Sequence, residues 1–154
     1  MFNVEVTSTT MKLLPVVCLC VVTRCGMTSA DGNGPAVVTV EQDRDVLLPC
    51  SLSTKENIES KLFDWKKAAQ KDGKNKEVFF YDAGIHYNNR RAGQSEEFKG
   101  RVFHFPEELK HGNASIIIRN TKMADSGDYT CVFPRLQPRQ TFHIKLVVDG
   151  VLTS

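Results

Sequence analysis

The chain has no glycine-rich phosphate cradle and no Gly-x-Ser-x-Gly elbow. Those absences remove the common signatures of nucleotide-handling and serine-hydrolase chemistry. The four histidines, His86, His104, His111 and His143, lack the i, i+4 spacing of a helical zinc pair, so no metal and no cofactor are expected. The acidic pairs Glu96/Glu97 and Glu107/Glu108 lie in polar stretches, and adjacent side chains point apart in a strand. General acid–base work by either pair is not expected, and the chain is read as a non-enzyme. Excess charge of one sign is also missing: 20 Lys and Arg face 18 Asp and Glu, a net of +2. That balance leaves no footprint for nucleic acid.

Long apolar runs are scarce too. The longest is Leu13 to Val22, ten uncharged residues preceded by Lys12. It falls short of the roughly 20 residues that span a bilayer but fits the core of a signal peptide, with small residues at Thr28 and Ala30 behind it. Residues 1–30 are therefore read as a leader, with Met11 as an alternative start, and 31–36 as a linker. Attachment to a membrane is expected only if the gene continues beyond Ser154. Cys18, Cys20 and Cys25 would leave with the leader, and Cys50 and Cys131 remain as an even pair in an oxidising compartment. The 154 residues leave room for one sandwich of about 100 residues but not two.

From Pro35 onward, short apolar runs alternate with polar turns, and the period is two. Strands are expected over Val37–Val40, Asp45–Leu52, Leu62–Lys67, Val78–Tyr81, Arg101–Phe105, Ser115–Arg119, Asp128–Phe133 and Thr141–Val148, with a ninth near His86–Asn89. Their spacing suits two packed sheets. Pro49 conflicts with a central strand position because it has no N–H to give to a ladder. The domain is bounded at 37–148, and 149–154 is read as a tail.

Cys50, Trp65 and Cys131 stand in the order of an immunoglobulin core, where an inter-sheet disulfide packs against a buried tryptophan. Trp65 is the single tryptophan. Tyr129, two residues before the second cysteine, has the position of a tyrosine corner. Gly127 supplies permissive backbone beside it, and Asp125 is placed to accept a charge-assisted bond from Arg101. The fold expected is all-β: an immunoglobulin V-type two-sheet sandwich with one inter-sheet disulfide.

The segments Leu47-Leu48-Pro49-Cys50, Trp65-Lys66 and Val78-Phe79-Phe80-Tyr81 carry a closer resemblance. So do Arg101-Val102-Phe103-His104-Phe105-Pro106, Gly112-Asn113-Ala114-Ser115-Ile116 and Asp125 to Cys131. Together they resemble a V-set domain of the butyrophilin and T-cell costimulatory-ligand family. The last strand, Gln140-Thr141-Phe142-His143, lacks the Gly-x-Gly bulge found in the joining segments of antigen receptors. The resemblance implies a protein receptor on immune cells as partner, met by the sheet that holds Trp65 and the last two strands. Self-association in homophilic adhesion and an antigen-receptor variable domain are the alternative readings.

Lys66, Thr130 and Val132 are expected to face outward from that sheet. Phe79 or Tyr81 should join them, depending on a strand irregularity, and Arg135 and Leu136 lie in the adjoining loop. Two prolines, Pro134 and Pro138, stiffen that loop and lower the ordering cost of binding. Asn113-Ala114-Ser115 is a glycosylation acceptor. Lys66, Lys67, Lys71, Lys74 and Lys76 oppose only Asp72, a local net of +4, and are read as a solvated hairpin rather than a steering patch.

Overall fold

A computed structural model of the chain describes residues 34–71, 73–87 and 93–151. The expected leader, Asp72, the end of the strand expected near His86–Asn89 and residues 152–154 lie outside them. Nine strands form among the described residues where the period-two pattern runs. They are β1 (Ala36–Glu41), β2 (Val46–Leu48), β3 (Leu62–Lys67), β4 (Lys76–Asp82), β5 (Ile85–Tyr87), β6 (Val102–His104), β7 (Ile116–Ile118), β8 (Gly127–Phe133) and β9 (Gln140–Asp149). One sheet has the order β1-β9-β8-β3-β4-β5, and the other β2-β7-β6. Among the described strand pairs only β1–β9 is parallel.

Three expected strands prove shorter. Ser115–Arg119 narrows to Ile116–Ile118, and the other two shorten for identifiable reasons. The strand expected over Asp45–Leu52 stops pairing at Leu48, where Pro49 has no hydrogen to donate. Pairing returns as a single bridge between Ser51 and Asn113. The run Arg101–Phe105 narrows to Val102–His104, because Pro106 opens a short 3-10 helix over Pro106–His111. Pro106 lacks an N–H that a helix start leaves unpaired anyway. Gly112 then closes the turn with φ +76°, and a Cβ there would stand 3.0 Å from the Glu56 carbonyl oxygen.

The two sheets enclose one apolar core. Cys50 and Cys131 are bonded across it, with their Cα atoms 6.4 Å apart. Trp65 is fully buried, and its indole N–H donates to the Ala114 carbonyl at 2.9 Å. That bond satisfies the one polar atom of a large buried ring. At the lower end, the Tyr129 hydroxyl donates to the backbone carbonyl of Asp125 at 2.5 Å. Arg101 grips the Asp125 carboxylate with both terminal nitrogens, at 2.6 and 3.1 Å to Oδ2. The same oxygen accepts the Lys122 amide at 2.8 Å.

Lys67 departs from its expected place in an exposed lysine run. It is buried, donates to the Ala124 carbonyl and lies 6.0 Å from the centre of the Tyr129 ring. Burial lowers its pKa, against the attraction of Glu97 and Asp125. Gly127 makes room for it: with φ +150°, a Cβ would fall 2.9 Å from Lys67 Cε. Lys66 pairs with Asp64 and Lys76 with Glu97, so two further lysines of the run have acidic partners.

Candidate protein-recognition face

The outer surface of the six-stranded sheet is built from alternate residues of β3, β4, β8 and β9. Antiparallel register sets them in rows across the strands. In one row Thr141 stands opposite Val132, Val132 opposite Asp64, and Asp64 opposite Phe80. In the next, His143 stands opposite Thr130, Thr130 opposite Lys66, and Lys66 opposite Glu77. Lys66, Thr130 and Val132 are half-buried on this face, with the orientation expected from the sequence.

Phe79 and Tyr81 are corrected. Both lie in the core, neither more than 4% exposed. The cause is a bulge in β4: Trp65 pairs with Phe79 but Lys66 pairs with Glu77, leaving Val78 as an extra residue. A bulge puts two residues of one strand against one of its partner and changes which face follows. Val78 and Phe79 therefore both point inward, and Phe80 is the aromatic that turns out. Tyr81 stacks on Phe63 at 4.9 Å, and its hydroxyl donates to the Glu59 carbonyl at 2.7 Å.

Two ion pairs lie on the face. Lys66 Nζ is 2.7 Å from Asp64 Oδ2, two residues away on the same side of β3. The other oxygen of Asp64 is buried without a hydrogen-bond partner among the described residues. Arg135 Nη1 is 3.3 Å from Asp82 Oδ1. Arg135 follows β8 and Asp82 ends β4, with β3 between them, so this contact crosses β3 at the level of Leu62, the partner of Asp82. Leu62 shares the outward parity of Asp64 and Lys66. It is nonetheless only 8% exposed and stands outside the main core cluster. Apolar Leu62, Phe80 and Val132 thus lie among charged pairs on an outward surface.

Leu136 does not share this surface. It is half-buried against the core and lines a cavity of about 190 Å³ with Leu52, Thr54 and Pro138. That places it between two loops at the end of the sandwich. Leu62, Phe80, Asp64 and Asp82 belong to the face although the sequence reading did not choose them. Leu62 carried a usable signal, since a leucine at an outward position of a strand whose other outward residues are charged needs a cover. Phe80 carried none, because Val78 to Tyr81 is apolar at every position.

Asn113 is half-buried on the turn before β7, away from this face. Its side-chain oxygen accepts the Ser115 amide at 2.9 Å, and Ser115 Oγ accepts the Cys50 amide at 3.0 Å. The acceptor sequence thus contributes to the strand start beside the disulfide.

Comparison with known proteins agrees with this architecture. The immunoglobulin V-set domain family model matches residues 33–149. A CD276 antigen homolog from Xenopus laevis is 30% identical over 115 residues, covering 73% of this chain and 34% of that protein. Butyrophilin subfamily 2 member A2 from Homo sapiens is 26% identical over 130 residues, covering 82% of this chain and 24% of that protein. The chain thus spans about a third or less of these curated relatives. Among solved structures, bovine butyrophilin superposes with a TM-score of 0.60 at 22% identity, over 78% of this chain and 53% of that one. The human B7-H4 IgV-like domain gives 0.58 at 20% identity, over 73% of this chain and 90% of that one. With the Cys50–Cys131 bond, the Trp65 core and the Tyr129 corner in place, the chain belongs to the immunoglobulin V-set family and is of the B7 and butyrophilin type.

Proposed function

We propose that this chain is a ligand-type V domain, secreted or held on the outer side of the plasma membrane. In this reading it binds a protein receptor on lymphocytes through the outer face of its six-stranded sheet and so modulates T-cell signalling. Domains of this type are recognition modules and not enzymes. The observation that carries the reading is the row Val132, Asp64, Phe80, flanked by Leu62 and Thr130, on the outward side of three adjacent strands. Apolar and aromatic side chains set among polar ones on an outward surface are the kind of residues a protein-binding patch uses.

Residues 1–30 act as the leader and 37–148 as the binding domain in this proposal. Asn113 carries a glycan, and its position on the turn before β7 leaves the binding sheet uncovered. Arg135 belongs to the edge of the contact, and Leu136 supports its loop from beneath.

Staining of resting and activated lymphocytes by the tetramerised full chain tests the reading. Thr130→Arg with Val132→Arg should abolish staining while the circular dichroism stays that of the parent. Leu47→Glu, on the outer side of the other sheet and 40% exposed, should leave it unchanged. Equal staining by all three proteins would assign binding to another surface.

A further inference from the structure

The ion pairs on the candidate face share an asymmetry. In the Lys66–Asp64 pair the cation is 42% exposed and the anion 13%. In the Arg135–Asp82 pair the values are 68% and 33%. At the lower end of the same sheet, Lys76 is 45% exposed and its partner Glu97 32%. A long cationic stem carries its charge outward while the short carboxylate stays at the strand. A molecule approaching this face therefore meets ammonium and guanidinium groups first, although the pairs are neutral as pairs.

Between the two upper cations lie apolar groups. Val132 and Phe80 flank Asp64 in one row, and Leu62 sits one row further, where the Arg135–Asp82 contact crosses β3. Of the two ion pairs on the face, that contact is the one at the level of Leu62. An exposed ion pair at 3.3 Å holds weakly. A carboxylate from outside can draw Arg135 toward itself without breaking any ladder bond.

We propose that this face selects a protein segment in which two carboxylates flank an apolar side chain. One carboxylate engages Lys66 and the other Arg135, and the apolar group settles on Leu62, Phe80 and Val132. The charged positions give orientation and rate of encounter, and the apolar contact gives residence. This deepens the reading above, on which it rests, by naming the chemistry of the partner.

The test uses two synthetic hexapeptides. In one, two glutamates flank a leucine–phenylalanine pair, and in the other lysines replace the glutamates. Each is titrated into the isotope-labelled full chain while amide resonances are followed. The acidic peptide should shift the signals of Lys66, Val132 and Arg135 about threefold more than the basic one at equal concentration, with the preference shrinking as salt is raised. Lys66→Glu with Arg135→Glu should invert the preference. If that pair misfolds, Lys66→Gln with Arg135→Gln should erase it.

Equal response to both peptides, preference for the basic one, or silence of this face toward both overturns the proposal. So does concentration-dependent dimerisation in sedimentation that Lys66→Glu abolishes, which would make a second copy the occupant. Failure here is separable from failure of the receptor reading. Lymphocyte staining lost in the arginine variants with no charge preference leaves the receptor reading standing. A clear preference for the acidic peptide with no staining does the reverse.

Discussion

The Tyr129 hydroxyl and the Arg101 guanidinium both hold Asp125, one by its backbone carbonyl and the other by its carboxylate. One residue thereby joins β8 to the segment leading into β6. Asp125 is 3% exposed as a side chain and Arg101 15%, so the pair is largely shielded from water. Removing one charge of a buried pair leaves the other unpaired. Arg101→Ala or Asp125→Ala should therefore cost about 3–5 kcal/mol, read as a lowered urea midpoint. Tyr129→Phe deletes only one buried hydrogen bond and should cost about 1–2 kcal/mol.

The bulge at Val78 makes two neighbouring aromatics behave in opposite ways. Tyr81→Ala opens the core beside Phe63 and frees the Glu59 carbonyl; it should cost about 3–5 kcal/mol in thermal or urea unfolding. Phe80→Ala should cost about 1 kcal/mol or less and weaken lymphocyte staining at unchanged fold. Staining that survives Phe80→Ala would remove this ring from the contact.

Gly127 and Lys67 should be coupled. Gly127→Ala alone forces a methyl against the buried lysine stem and imposes φ +150° on a residue with a side chain. The expected loss is about 1–3 kcal/mol. In a double-mutant cycle, Lys67→Ala should recover the steric part of that loss but not the backbone part. Full additivity would show that the two side chains do not compete for one space.

Alkaline titration separates two buried groups by sign. Burial raises the Tyr129 pKa, with Asp125 and Glu97 adding to it. The folded protein then keeps a proton that the unfolded chain releases near pH 10. Stability from this group is complete below about pH 10 and declines above it. Lys67 runs the other way: its folded pKa lies below 10.5, so its penalty is relieved as pH rises toward that value. Relative to the parent, Tyr129→Phe should lose less stability above pH 10. Lys67→Met should gain less between neutral pH and pH 10. Urea midpoints measured across that range check both.

Removal of the disulfide gives a simpler expectation. Cys50 and Cys131 are 81 positions apart, and closing a loop of that size stabilises by about 4–5 kcal/mol in the chain-entropy account. The Cys50→Ala, Cys131→Ala double variant should show that loss in non-reducing urea unfolding. The parent should match it after reduction.

The sandwich was legible because its determinants are local or come in a fixed order. Alternation along Phe142, Ile144, Leu146 and Val148 names the inner face of β9 without any knowledge of its neighbours. Cys50, Trp65, Tyr129 and Cys131 constrain one another through the core, and their order along the chain reports it. Pro49 marked a conflict inside the strand expected over Asp45–Leu52, and only the structure showed that β2 ends at Leu48.

The face was legible only in part. Lys66, Thr130 and Val132 follow from strand parity, whereas Phe80 depends on a bulge inside an unbroken apolar run, where a shift of one residue leaves the pattern unchanged. The burial of Lys67 depends on the space beside Gly127, which lies 60 positions further along the chain. The Arg135–Asp82 contact over Leu62 joins groups separated by 53 positions and one intervening strand. By itself, then, the sequence determined the two-layer fold, its cross-link and its family, because periodicity and residue order are properties of a chain. Which aromatic, which lysine and which leucine lie on the outward face was decided in the tertiary structure, because register and burial exist only once the strands have met.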